Sequence, residues 1–177
     1  MLTDIATLDA ILATHAADLG DDFTAYRNHT YRIANLCAAQ SSASGQQVEK
    51  IAIAAAFHDL GIWTDRTFDY LLPSVRLAVA HLDRVGRTEW VPEISEMILQ
   101  HHKVTRYRAN PHWLVEPFRR ADWIDVTRGV LALGVPRKLI GSLYEKWPSA
   151  GFHRRLVQLE LAHVRRHPLN PLPVFRL

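Results

Sequence analysis

Apolar residues recur along this chain at intervals of three and four, the period of a helix with one buried face. The pattern predicts helices over 4–19, 22–40, 46–60, 74–85, 89–102, 112–129, 136–147 and 150–166. No stretch of useful length alternates apolar and polar residues as a half-buried strand would. Thr3 or Asp4 is placed to cap the first helix, and Ser74 follows Pro73 at the start of the fourth. Gly61, Gly86 and Gly129 fall where helices should stop, the position of left-handed C-terminal caps. The expected fold class is all-α, a bundle of about seven or eight helices in a single domain over 1–177. The tail over 168–177, with three prolines and five large apolar residues, cannot be helical. It is expected to pack across the domain or against a partner chain, which leaves a homodimer open.

Polar residues interrupt these apolar stripes in a repeated way. His29 lies three residues after Tyr26 and four before Ile33. His58 and Asp59 follow Ala55 by three and four, just before Gly61. His81 sits among Leu77, Ala78 and Val85, and His101, with His102 beside it, continues the line of Ile94, Met97 and Ile98. Phe118 and Val126 bracket Asp122 at four residues on either side. One inward histidine is usually a hydrogen-bonded core residue. Five successive helices that each turn a His or Asp inward would collect their costly polar groups in one place. A divalent metal relieves that cost by taking up their lone pairs. Adjacent residues on a helix differ by about 100° in direction, so Asp59 can reach between two ions while His58 holds one. Such a pair of ions ionises water at neutral pH for attack on an electrophile.

The residues His29, His58-Asp59 within FHDLG, and the late Asp122 resemble the signature of the HD-domain superfamily of metal-dependent phosphohydrolases. The resemblance covers about 22–128, the metal-binding core, with the C-terminal helices and tail over 136–177 outside it. It implies one ion on His29, His58, Asp59 and Asp122. A second would sit on Asp59, His81 and His101 or His102, or both of the pair, with Asp59 bridging. The ions implied are divalent transition metals, Fe, Mn, Ni, Co or Zn. The chain departs from the cyclic-dinucleotide phosphodiesterase branch, which has Gly-Tyr-Pro after its histidine pair where this sequence reads HHKVTRYRANPHW. It departs from inositol oxygenase too, with Ile62 in place of that enzyme's substrate-contacting lysine after HDLG. The runs AAAFHDLGIWT, HHK and FRRADWIDV are similar to small bacterial HD proteins. Hydrolysis of a phosphate ester or nucleotide is the activity implied. A mixed-valent diiron oxygenase and a non-catalytic nucleotide-sensing module are the alternatives.

Composition narrows the surroundings. The chain has 177 residues, ten histidines, one cysteine and a formal charge of +3. Cys37 has no intrachain partner, and the N-terminus lacks the basic start and apolar core of a signal peptide, so a reducing cytoplasm is expected. No apolar run approaches the roughly 20 residues of a membrane span. The basic residues Lys103, Arg106, Arg108, Arg119 and Arg120 suggest a local rim for an anionic small-molecule substrate, too short for a nucleic-acid footprint. Lys103 either meets a bound anion or answers its helix dipole, and Arg119 either clamps a phosphate or pairs with Asp122 or Asp125. Asp125 is placed to orient a ligand imidazole. Trp63, Tyr70, Tyr107, Trp113 and Trp123 either line a pocket or fill the core. His112 is an acid/base candidate only by its place between two helices. His15, His153, His163 and His167 are given no chemistry.

Overall fold

A computed structural model describes residues 1–166, so the apolar tail and His167 lie outside the described residues. All regular structure in it is helical. The helices are α1 (Ala6–Thr14), α2 (Ala16–Leu19), α3 (Phe23–Ser41), α4 (Gln46–Phe57), α5 (Gly61–Thr64), α6 (Leu71–Arg84), α7 (Val91–Gln100), α8 (Val115–Val126), α9 (Arg137–Lys146) and α10 (Phe152–Arg166). Eight have nine residues or more and correspond to the eight that the periodicity predicts. Among the described residues there is no strand, and no helix is long and apolar enough to cross a membrane.

The centre of the bundle is α3. Every residue from Asn28 to Cys37 is buried, so this helix is enclosed on all sides rather than along one stripe. It packs chiefly on α8 and α4, while α7 closes the group against both α4 and α8. One apolar cluster runs through these helices from Ile5 to Phe152. An enclosed helix must bury polar side chains along with apolar ones, and His29, Arg32 and Asn35 are all in this position.

Several boundaries depart from the expected ones. The first helix breaks at His15, and Ile5 rather than Thr3 or Asp4 precedes it, without a side-chain cap. Its leading backbone is held instead by α3: Leu2 N–H donates to Asn35 Oδ1 at 2.6 Å and Ile5 N–H to the Tyr31 hydroxyl at 3.2 Å. Gly86 takes the left-handed capping position after α6 at φ 66°, as expected, whereas after α8 that position is Arg128 at φ 53°, with Gly129 following at φ 76°.

Gly61 serves another purpose. It opens α5, and a Cβ there would lie 2.6 Å from the Tyr70 carbonyl oxygen and 2.9 Å from Pro73 Cβ. Its N–H donates to Ser74 Oγ at 3.0 Å, which fixes the start of α6 against the end of α4. Gly61→Ala is therefore expected to destabilise the protein by about 1–3 kcal/mol, the usual cost of overpacking. Thermal unfolding measures it, and an unchanged midpoint would refute the close approach.

A candidate metal centre built at helix ends

The expected helices over 46–60 and 89–102 stop early, at Phe57 and Gln100. Each stop frees backbone carbonyls in a last turn, where the intrahelical ladder has no further donor. A histidine uses one of them in both places. His58 Nδ1–H donates to Ala55 O at 2.9 Å, and His101 Nδ1–H donates to Ile98 O at 2.5 Å. On α3, His29 Nδ1–H donates to Asp125 Oδ2 of α8 at 2.7 Å. With Nδ1 carrying the proton in all three rings, each Nε2 presents a lone pair.

Those lone pairs converge on Asp59. Its Oδ2 lies 3.3 Å from His58 Nε2 and 3.7 Å from His29 Nε2, while its Oδ1 lies 3.2 Å from His101 Nε2 and 3.8 Å from His102 Nε2. The Nε2 atoms of His29 and His58 face each other at 3.0 Å. Two acceptors at that distance, beside an anionic carboxylate, repel unless a proton or a cation lies among them. Asp122 adds a second carboxylate. Its Oδ1 is 4.0 Å from His58 Nε2 and is buried with no hydrogen-bond partner among the described residues, while its Oδ2 is 3.5 Å from His102 Nδ1. Among the described residues two sets of side chains have the spacing to hold metal ions, His29–His58–Asp59 and Asp59–His101–His102, and Asp59 belongs to both. The donor set fits a divalent transition ion.

The electrostatics show the same concentration of charge. Burial alone would raise the Asp59 and Asp122 carboxyls, yet the surrounding imidazoles hold both below the ordinary carboxylate range. Burial would likewise lower His29, but the Asp125 and Asp59 carboxylates outweigh it and raise the imidazole to about 9. In the absence of metal, a proton on His29 takes the cation's place.

Around the ligand atoms lies a supporting layer. Arg32, fully buried, grips Asp125 through Nε at 2.5 Å and Nη2 at 2.9 Å, so Asp125 orients His29 as the sequence suggested. Phe152 stacks on the His29 ring at a centroid distance of 3.9 Å. The Tyr70 hydroxyl hydrogen-bonds His102 Nε2. Burial, reinforced by the charge of Asp59, pushes that phenol well above its usual pKa, so it stays protonated as a donor. His153 bonds Ser149 Oγ and the Asp125 carbonyl, each at 2.9 Å.

His81 is not part of the cluster. The buried stripe of α6 is Ser74, Ala78 and Leu82, and His81 lies one residue off it. Its ring instead packs on Phe57 at 5.5 Å, with Nδ1 3.0 Å from Arg84 Nη2. The second ligand set contains both members of the histidine pair in its stead.

Two members of the basic rim, Arg119 and Arg120, are engaged within the fold. Arg119 forms a two-pronged pair with Glu116, both contacts at 2.8 Å, and its Nη1 donates to the Lys103 carbonyl at 2.9 Å. It holds the chain that follows the histidine pair rather than facing Asp122 or Asp125. Lys103 contributes that carbonyl, and its ammonium makes no ion pair among the described residues. Arg120 bonds the Leu133 carbonyl, and Arg106, Arg108 and His112 lie in the connection between α7 and α8, with His112 exposed.

The Glu116–Arg119 pair gives a pH signature. Burial works against ionisation of Glu116, but the guanidinium and the Tyr107 N–H hold its pKa below the ordinary 4.5. A depressed folded-state pKa stabilises fully above the unfolded value and loses that stabilisation as pH falls through the folded one. The difference in unfolding midpoint between the parent and Glu116→Gln should thus be largest near neutrality and shrink below pH 4.5. A difference that grows on acidification would contradict the pairing.

Compared with known proteins, the chain matches no family model, no curated protein and no solved structure.

Proposed function

We propose that this protein is a metal-dependent hydrolase of the HD type, acting on a phosphate ester or nucleotide, with two divalent ions held around Asp59. The observation that supports it best is the tautomer pattern. Three imidazoles spend Nδ1–H on fixed acceptors and turn Nε2 toward one shared carboxylate. His29, His58, Asp59 and Asp122 would hold one ion, and Asp59, His101 and His102 the other. Bound ions supply ionised water and neutralise charge on phosphoryl oxygens.

The chain's own residues prepare the site for that chemistry. Asp125 fixes the His29 ring, and Arg32 fixes Asp125. Phe152 stacks on His29 and Tyr26 on His58, which keeps water from the faces of these rings. His102 is 20% exposed while His29, His58 and His101 are fully buried, so substrate approaches over His102 and Asp122. Without metal the Tyr70 hydroxyl donates to His102 Nε2, the lone pair that a bound ion would take instead.

The test is elemental analysis of protein purified without chelator, followed by phosphate release from a panel of phosphomonoesters and nucleotides. About two ions per chain with phosphate release is the expected result. Bound iron with dioxygen consumption and no phosphate release would assign the cluster to oxygenase chemistry. No metal, even after reconstitution, would leave a nucleotide-binding module.

A further inference from the structure

Above the cluster opens a cleft of about 300 Å³, with Asp59, Asp122 and His102 at its floor. Much of its lining is apolar: Ile62, Phe68, Trp123 and Val126 of α8, and Leu156 and Val157 of α10. The other titratable groups that line it are Tyr70, His153 and Glu160. Among the described residues no lysine or arginine lines it, and Arg66, Arg154 and Arg155 belong to the neighbouring cavity beyond Ile62 and Phe68. The guanidinium nearest in sequence to Asp122, that of Arg119 or Arg120, is already engaged elsewhere.

Two constraints on the substrate follow from this lining. A chain of phosphates needs cationic or bidentate partners for the groups beyond the one at the metals, and the cleft offers a carboxylate instead. An apolar wall this close to a charged floor favours a molecule that is apolar at one end and anionic at the other. The volume is near the lower limit of about 300–1,000 Å³ common for ligand pockets, so the apolar part must be compact.

Resting on the hydrolase reading above, we propose that the substrate is the phosphomonoester of a compact apolar alcohol, whose hydrocarbon body fills the cleft between α8 and α10. The anionic head lies on the Asp59–His102–Asp122 floor, and Val157 and Leu156 contact the body. Nucleoside polyphosphates are poor ligands of this site.

The test separates the ligand class from the reaction. Alkylphosphonates from methyl to octyl, which cannot be hydrolysed at phosphorus by ester cleavage, are titrated calorimetrically into metal-loaded protein. Affinity is expected to rise about fourfold per methylene, equivalent to ~0.8 kcal/mol, until the cleft is full. Val157→Glu should flatten that ladder without changing metal content, because the residue is half exposed and remote in sequence from every ligand. Phosphate release from the matching alkyl phosphates is measured on the same samples. A rising ladder without release keeps the ligand class and overturns hydrolysis. Release with a flat ladder, or tighter binding of ATP than of the longer phosphonates, keeps hydrolysis and overturns the apolar body. Neither binding nor release overturns both.

Discussion

On the proposed function, Asp59→Ala is expected to empty the candidate metal centre, with metal affinity falling by more than ~100-fold and any phosphate release abolished. Removing a group that only supports a ligand typically costs about 10–100-fold in affinity, and Asp59 is a direct donor in both candidate sets. Each of its oxygens serves one set, so truncation disables the two together rather than one of them. The fold should survive. Asp59 lies in the turn after α4, and its loss leaves Ala54, Phe57 and Leu60 in the core unchanged. Far-UV circular dichroism would then show parental helicity while elemental analysis shows little bound metal. His81→Ala is the control, with parental metal content expected because His81 packs on Phe57 outside the cluster. Full metal content in Asp59→Ala would remove Asp59 from the centre, and metal loss in His81→Ala would return His81 to it.

The contrast between Asp59 and His81 shows what the sequence reveals and what it does not. His29, His58, His101 and Asp122 were legible because each interrupts a clear apolar stripe, and burial of a polar group requires a partner. The α6 stripe was ambiguous. Leucines, valines and alanines at 77, 78, 79, 80 and 82 permit more than one inward face, and the packing of α6 on α7 selects the face with Ser74, Ala78 and Leu82. Helix ends were misplaced for a related reason. The histidines after Phe57 and Gln100 continue the helical period, although the backbone turns there and frees the carbonyls that orient their rings. Lys103 and Arg119 were left open between an anion clamp and a structural role, and for Arg119 the sequence offered Asp122 or Asp125 as partner where Glu116 takes it up. The cleft wall from α10 was not legible at all, since periodicity gives an apolar face without saying what it covers.

Arg32 was missed altogether, and its replacement carries the second large expected effect. Arginine in a helix is ordinarily read as solvated, and nothing local marks this one: its partner Asp125 is 93 residues away. Yet Arg32 is fully buried, pairs with Asp125 through two nitrogens, donates to the Trp147 carbonyl at 2.8 Å and lies 4.5 Å over the Tyr144 ring. Arg32→Ala would leave the Asp125 carboxylate buried with only His29 as a charged partner. Breaking a buried ion pair from one side costs about 3–5 kcal/mol. At roughly 2–4 °C per kcal/mol for a chain of this size, the unfolding midpoint should fall by about 6–20 °C. Metal affinity should fall as well, by about 10–100-fold, because Asp125 is what turns His29 Nε2 toward Asp59. The double variant Arg32→Met with Asp125→Asn removes both charges, so it should recover much of the stability while metal binding stays weak. That separation distinguishes a residue that positions the ligand from one that only holds the core together. If metal affinity returned along with stability in the double variant, the Arg32–Asp125 pair would be structural alone, and His29 would owe its orientation to α3 and the Phe152 ring.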